Sequence, residues 1–538
     1  MASAFGDNPV PKAAAPSRVL LSHTPEQIAA KIRYEKSPKQ KLFLLHSWLG
    51  FHLALLLATV LLTGTIAVVS DEIDWLFHPE MRVQPGDTKV SWGELEKAVR
   101  AAAPNDALRT LQRGEADYFA YRASLLTPSG VRYFLHVDQW TGEVTGRTHP
   151  LTVQRFFRDL HRYLFTPSII SLPIVCSMGL VMLLSLYTGL KTAGRLRVAA
   201  FRLRTHQGLR VFLGDFHKVV AIWSLWFLVL IAVTGLWYLA EFGGAIAGKR
   251  FEPPRTGLST ERIEEFGSVI PRISTNEIIR RAEAAIPDWE PSAIFYPSAP
   301  GRPMMVWGRW IDPFVRDRAN RVSLDPMDGS IIQISRSTEN GVVAYLNDVA
   351  DPLHFGDLGE SLTIKLIWFL FGLGLCTLSF TGVWLSFKRL KKVSLSTAQL
   401  STTPVLIAAI VFGYAYVQRY LDPGTHHQAL AESLQVNGAL TIRAVHSYVE
   451  EDDSQWIRIR VRHKEGMANF SAATVELANK QSIALKPVFY GPETILQAKL
   501  DPSETRAPLT VTSITLVDGA ATELELTPPM LIVDSASP

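Results

Sequence analysis

Long apolar runs alternate with polar stretches along this chain, a pattern that predicts membrane helices separated by folded segments. Runs with few or no charges cover about 43–69, 168–190, 219–240 and 362–387. Each reaches the roughly 20 residues that a helix needs to cross a bilayer. A fifth run, at about 404–417, is shorter, and Tyr414, Tyr416 and Tyr420 within or beside it fit an interfacial aromatic belt. The intervening segments have other periods. Residues 91–104 (SWGELEKAVRAAAP) and 274–287 (STNEIIRRAEAAIP) carry helical apolar spacing and stop at a proline. Strand-like runs at Tyr118–Leu125 and Val131–Asp138 follow the first. Both segments then hold an Asp-x-x-x-Gly turn, at Asp138–Gly142 and Asp325–Gly329. Beyond about 422, alternating runs such as Trp456–Val461 and Leu509–Leu516 predict strands.

These elements predict an integral membrane α-helical bundle: four core helices in two parallel repeats, plus a fifth helix. Two small α+β modules and a β-rich C-terminal domain complete it. The expected divisions are an N-terminal segment 1–41, helix one 42–70, the first module 71–160, and helix two with its juxtamembrane histidine 161–190. A basic loop 191–216, helix three 217–241, the second module 242–353 and helix four with its juxtamembrane histidine 354–388 follow. A loop 389–402, the fifth helix 403–420 and the β-rich domain 421–538 complete the chain.

Charge orients this scheme. Lys31, Arg33, Lys36, Lys39 and Lys41 precede helix one, and Lys191, Arg195, Arg197, Arg202, Arg204 and Arg210 lie between helices two and three. Lys388, Arg389, Lys391 and Lys392 follow helix four. By the positive-inside rule these segments face the cytoplasm. The expectation is a multi-pass protein of a bacterial inner membrane, N-terminus cytoplasmic, modules and tail in the periplasm. The first 40 residues are polar and lack both an apolar core and a small-residue cleavage site, so no cleaved signal peptide is expected. The net charge of +4 then follows from topology, with lipid as the surrounding partner and no nucleic acid implied. Cys176 and Cys376 both fall inside apolar runs, which excludes a disulfide framework in the modules.

Four histidines carry the candidate chemistry. His46 precedes Thr63-Gly64 by seventeen residues, and His217 precedes Thr234-Gly235 by seventeen. His161 precedes Thr188-Gly189 by twenty-seven, and His354 precedes Thr381-Gly382 by twenty-seven. A pseudo-twofold axis along the membrane normal would bring His46 to His217 and His161 to His354. Facing imidazoles in a helix bundle suit bis-histidine haem, although duplication alone would also preserve the spacing. His52, six residues beyond His46, is an alternative ligand, but the second repeat has Trp223 there. His206, His426 and His427 read as solvated side chains. The Thr-Gly pairs read as packing devices, glycine for close approach and threonine for a bond to the preceding turn.

The run LLHSWLGFHLALLLATVLLTGTIAVVSDEID at 44–74 resembles the first helix of the PepSY-associated transmembrane proteins, also called iron-regulated membrane proteins. DLHRYLF at 159–165, DFHKVVAIW at 215–223 and PLHFGDLG at 352–359 are similar to the family's other histidine positions, and the modules resemble PepSY domains. The resemblance covers about residues 40–390. It implies two b-type haems, with His46 and His217 as iron ligands of the inner one and His161 and His354 of the outer one. It also implies a ferric-siderophore reductase that passes electrons to a ferric chelate in the periplasm. The fifth helix and the tail depart from smaller members and leave the substrate open. No dinucleotide motif stands in a strand–helix context, so the donor is a quinol or a separate cytoplasmic reductase. The alternative is a non-enzymatic protein whose modules bind or regulate a periplasmic partner such as a peptidase. A transporter ranks last, because the sequence holds no acidic intramembrane relay and no nucleotide-binding motif.

Overall fold

The computed structural model describes residues 37–389 except 105, 127–131, 260–261, 263–272 and 298–301, then 407, 410–417 and the strands of a C-terminal sheet. The N-terminal segment to residue 36, the loop 390–402, much of the fifth helix, and His426 and His427 lie outside the described residues.

The first apolar run forms two helices, α1 (Pro38–His52) and α2 (Ala54–Val68), bent by 63° at their junction. Ser37 caps α1 in a reciprocal box with Gln40, and Pro38 supplies the favoured first residue. The third run divides in the same way, into α7 (Leu209–Trp223) and α8 (Leu225–Ile246). Both breaks, at Leu53 and Ser224, stand seven residues beyond the histidine (53 − 46 and 224 − 217). The single uninterrupted helices expected at 42–70 and 217–241 are therefore each two segments, and each histidine sits on the first. The second run is preceded by α5 (Val153–Tyr163) and continues as α6 (Ser168–Thr192). The fourth is preceded by α10 (Val342–Phe355) and continues as α11 (Leu362–Arg389). Left-handed residues make both corners: Leu164 and Phe165 after α5, Gly356 after α10. Among the described residues three helices are long and apolar enough to cross a membrane, or four when the bent pair counts as one span.

Small residues set the packing of the bundle. A Cβ at Gly179 on α6 would stand 2.6 Å from the Ala232 carbonyl oxygen of α8, and one at Gly372 on α11 2.6 Å from Thr65 Oγ1 of α2. These glycines hold equivalent places, eighteen residues beyond His161 and His354 (179 − 161 and 372 − 354). Each lets a helix of one repeat cross closely against a helix of the other, where close van der Waals packing holds membrane helices together.

Outside the apolar helices the two α+β modules share a single sheet. Ser91 with Glu94 caps α4 (Trp92–Ala102), and Ser274 caps α9 (Thr275–Ala285), the same device in both repeats. The strands are β1 (Ala107–Gln112), β2 (Tyr121–Leu126), β3 (Arg132–Val137) and β4 (Val144–Thr148), then β5 (Glu290–Phe295), β6 (Met304–Arg309), β7 (Arg321–Leu324) and β8 (Ile331–Ser335). They form one antiparallel sheet in the order β4-β3-β2-β1-β5-β6-β7-β8. The joint is β1 against β5, with Thr110 opposite Phe295 and Gln112 opposite Ala293. Helices α4 and α9 cover one face, and Leu95, Leu111, Ile278, Ile294 and Val306 make one continuous core there. The Asp-x-x-x-Gly turns form as expected: Gly142 N–H donates to the Asp138 carbonyl at 2.8 Å and Gly329 N–H to that of Asp325 at 2.9 Å.

The C-terminal strands β9 (Leu434–Val436), β10 (Leu440–Val449), β11 (Gln455–His463), β12 (Ala472–Leu477), β13 (Ser482–Phe489), β14 (Glu493–Lys499), β15 (Leu509–Val517) and β16 (Thr522–Ile532) form a second antiparallel sheet in the order β16-β15-β12-β13-β14-β11-β10-β9. The predicted runs at Trp456–Val461 and Leu509–Leu516 fall in β11 (Gln455–His463) and β15 (Leu509–Val517). Of the fifth apolar run, residues 410–417 are helical, with Tyr416 stacked on Phe165 at 4.9 Å and hydrogen-bonded to Asp159.

Candidate functional site

The four histidines meet in two pairs. The His46 and His217 rings lie 6.3 Å apart between centroids, inclined by 79°. The His161 and His354 rings lie 6.1 Å apart, inclined by 43°. The second pair is on the sheet side of the bundle, because α5 and α10 follow directly from β4 and β8. The first pair is at the other end of the same helices.

The Thr-Gly pairs turn out to be the seats of the histidines, and they are crossed within each repeat. His46 on α1 rests on α6, where its Nδ1 lies 3.1 Å from Thr188 Oγ1 and 3.0 Å from the Ser185 carbonyl. His161 rests in turn on α2, its Nδ1 2.8 Å from the Val60 carbonyl and its ring over Gly64. In the second repeat His217 Nδ1 is 2.8 Å from Thr381 Oγ1 on α11, and His354 Nδ1 is 2.8 Å from Thr234 Oγ1 on α8. Each long helical segment thus carries one histidine and the seat for the other histidine of its repeat. This wiring accounts for the paired spacings of seventeen and twenty-seven residues.

The seats also fix which ring nitrogen holds the proton. Each seat threonine donates its single hydroxyl hydrogen back to its own helix: Thr188 to Leu184, Thr234 to Leu230 and Thr381 to Thr377. A hydroxyl that has spent its hydrogen can only accept. The Val60 and Ser185 carbonyls can likewise only accept. His46 and His161, each against a carbonyl, therefore carry the proton on Nδ1 and the lone pair on Nε2, and His217 and His354 are seated through the same Nδ1 atom on threonine hydroxyls. A backbone or side-chain acceptor on Nδ1–H is the support that metal-binding imidazoles use to orient Nε2.

The spacing matches a shared ion. Two imidazole–metal bonds of roughly 2.0–2.1 Å, with about 1.1 Å from each nitrogen to its ring centre, give about 6.3 Å between centroids. Among the described residues no three or more histidine, cysteine, aspartate or glutamate side chains converge as a chelating set. The pairs therefore suit an ion whose remaining ligands come from elsewhere. Around His161 and His354 lies a cavity of about 300 Å³ lined by Val60, Leu61, Val175, Met178, Met182 and Ile231, with Arg158, Arg162 and Arg318 also on its wall. Tyr238 closes it on one side, edge-on to His354 at 5.3 Å, with its hydroxyl donating 2.8 Å to Asp351. Arg316 in turn binds Asp351 at 2.6 Å and Asp348 at 2.7 Å.

Sequence reading had no means to find Arg158, Arg162 or Tyr238, whose roles depend on α5 and α10 folding back over the bundle. The threonines had a legible signal in their repetition. His52 packs against Trp48 at 4.9 Å and has no place in either pair. His206 is exposed. Cys176 and Cys376 are free and buried, as small core residues.

The family model of the PepSY-associated TM region matches residues 43–389, a span that includes all four histidines and both modules. No curated protein matches the chain.

Proposed function

The chain belongs to the family of the PepSY-associated TM region, and from that premise we propose that it is a dihaem b-type electron-transfer protein of the inner membrane that reduces a periplasmic ferric chelate. The crossed seating carries the reading: four Nδ1 atoms held by a neighbouring helix, which leaves each Nε2 for a ligand, and two ring pairs at 6.3 and 6.1 Å. Nε2 of His46 and of His217 would hold one haem iron, and Nε2 of His161 and of His354 the other. A haem supplies its own four ring nitrogens, so two histidines suffice where a bare ion would need more protein ligands. The apolar wall of Val175, Met178 and Met182 suits a porphyrin face, and Arg158, Arg162 and Arg318 suit its carboxylates. When bound, the haems supply one-electron redox chemistry at tuned potentials.

The basic segments at 191–210 and 388–392 support a periplasmic sheet side by the positive-inside rule. One histidine pair then serves a donor, quinol or cytoplasmic reductase, and the other faces the chelate. A ferric ion that gains an electron is a softer ion on hard oxygen ligands and leaves them more readily.

The test is a reduced-minus-oxidised spectrum of the purified full-length chain with pyridine haem quantitation. Two haems per chain are expected. His161→Ala should lose the sheet-side haem and stop chelate reduction. A colourless protein from haem-replete cells overturns the reading. So does an unaltered His161→Ala variant, as expected of a module that only captures a partner.

A further inference from the structure

The eight-stranded sheet has a second face, turned away from α4 and α9, and its side chains follow from register. One row across five strands reads Phe134, Ser124, Thr110, Phe295 and Met305. The next reads His136, Arg122, Gln112, Ala293 and Trp307. At about 4.8 Å per strand, the rows are roughly 19 Å wide. Arg109 is the extra residue of a bulge beside Thr110 on β1, and Arg132 begins β3, with β2 between the two strands.

Two features separate this face from an ordinary solvated one. Arg109 Nη1 and Trp307 Nε1 are buried N–H donors with no hydrogen-bond partner among the described residues. Arg109 also lies within electrostatic reach of Arg132, and neither forms an ion pair among the described residues. Arg309 and Arg113, by contrast, are neutralised: Arg309 binds Glu360 at 2.7 Å and Arg113 lies 3.6 Å from it. An arginine cannot shed its proton, so two guanidiniums within electrostatic reach of each other and without an ion-pair partner among the described residues call for an anion. The same face offers flat aromatic surface, with Arg122 5.0 Å over Phe134 and Phe295 4.1 Å from Trp307. Its Arg309–Glu360 contact reaches the corner six residues beyond His354.

We infer that this face, from Arg132 and Arg109 across to Trp307, is a binding site for an oxygen-rich anionic ligand. Resting on the proposed function, that ligand is a carboxylate-bearing ferric chelate. The guanidiniums of Arg109 and Arg132 take its outward carboxylates and Phe134 takes its carbon body, while Phe295 and Trp307 Nε1–H lie farther along the face and are reached by the longer chelates. The selection for negative charge lies at the Arg132–Arg109 end, because the acids near these rows, Glu115 and Asp71, stand by Arg122 and Lys365, with Lys365 3.0 Å from Glu115.

Ferric citrate is titrated into the full-length chain in detergent, read by tryptophan fluorescence and by iron in equilibrium dialysis. Arg109→Gln with Arg132→Gln should weaken binding at least about tenfold, as expected when charge-assisted bonds are lost. Arg132→Gln alone is exposed and disturbs no packing, and it should weaken binding several-fold. Trp307→Phe should weaken it less. Melting temperature and haem content should stay at wild-type values. A cationic ferric trihydroxamate should bind more weakly than ferric citrate. Undiminished affinity in the double variant, absent binding by the wild type, or equal binding of the cationic chelate each overturns the site. Haem content of the same samples separates the two claims. A dihaem protein with undiminished variants refutes only the site. A haemless protein whose variants lose the chelate refutes only the electron-transfer reading.

Discussion

The glycines beneath the histidine rings offer a graded test of the crossed seats. A Cβ at Gly64 would stand 2.7 Å from His161 Cε1, one at Gly189 3.3 Å from His46 Cε1, and one at Gly382 3.7 Å from His217 Cε1. Ordinary contact begins at 3.4 Å, so alanine demands a shift of 0.7 Å at Gly64 (3.4 − 2.7), 0.1 Å at Gly189 (3.4 − 3.3) and none at Gly382. His161 does not yield freely, because its Nδ1 is held 2.8 Å from the Val60 carbonyl. Overpacking of this kind costs about 1–3 kcal/mol. If the shift falls on the ring pair, that range corresponds to a roughly 5- to 150-fold loss of affinity for the shared ligand. Haem transfer from each variant to excess apomyoglobin measures it, with thermal unfolding as a readout independent of haem. Gly64→Ala should lose haem fastest and melt lowest, Gly189→Ala should change slightly, and Gly382→Ala should match wild type. Gly243→Ala, where nothing lies within 4 Å, is the control. If Gly382→Ala is as damaging as Gly64→Ala, the rings do not rest where the crossed seating requires.

Thr234→Val removes the hydroxyl partner of His354 Nδ1 and should lower stability by about 1–3 kcal/mol, the cost of a buried polar group left unmet. Thr188→Val should cost less, because His46 Nδ1 keeps the Ser185 carbonyl at 3.0 Å, and thermal unfolding of the two variants gives the comparison. Gly329→Ala combines a left-handed φ of +72° with a Cβ that would run into Ile273 Cδ1, whereas Gly142→Ala at φ +79° meets nothing nearer than 3.8 Å. Gly142→Ala should therefore lose about 1–2 kcal/mol from backbone conformation alone, and Gly329→Ala distinctly more, read from denaturant midpoints. The Asp71 carboxyl is pushed up to about 7, first by burial and then by the Glu115 charge. An acid raised in the folded state stabilises fully below its unfolded value near 3.8 and loses that contribution as pH rises through about 7. Wild-type melting should accordingly fall between pH 4 and 8 relative to Asp71→Asn; parallel curves would refute the assignment.

The sequence by itself determined the membrane helices, the module helices with their serine caps, the Asp-x-x-x-Gly turns and the identity of the four histidines. All of these rest on local periodicity and short-range hydrogen bonds, which a linear pattern records. It also held, unread, the reason for its own spacings, since Thr188, Thr234 and Thr381 repeat at fixed distances from histidines they do not touch in sequence. Only the tertiary structure decided that each Thr-Gly pair seats the histidine of the other helix in its repeat, because helix crossing depends on close contacts at Gly179 and Gly372 far from either ring. It likewise merged two modules into one sheet through β1 and β5, a pairing between strands more than 180 residues apart (293 − 112) that no local pattern encodes. The break of the first span is a third such decision. Leu53 lies within an unbroken apolar run, so hydropathy reads one helix where the fold makes two. Local structure follows from neighbours along the chain. The proton positions on the histidines, and the unpaired donors on the open sheet face, follow from neighbours that only folding supplies.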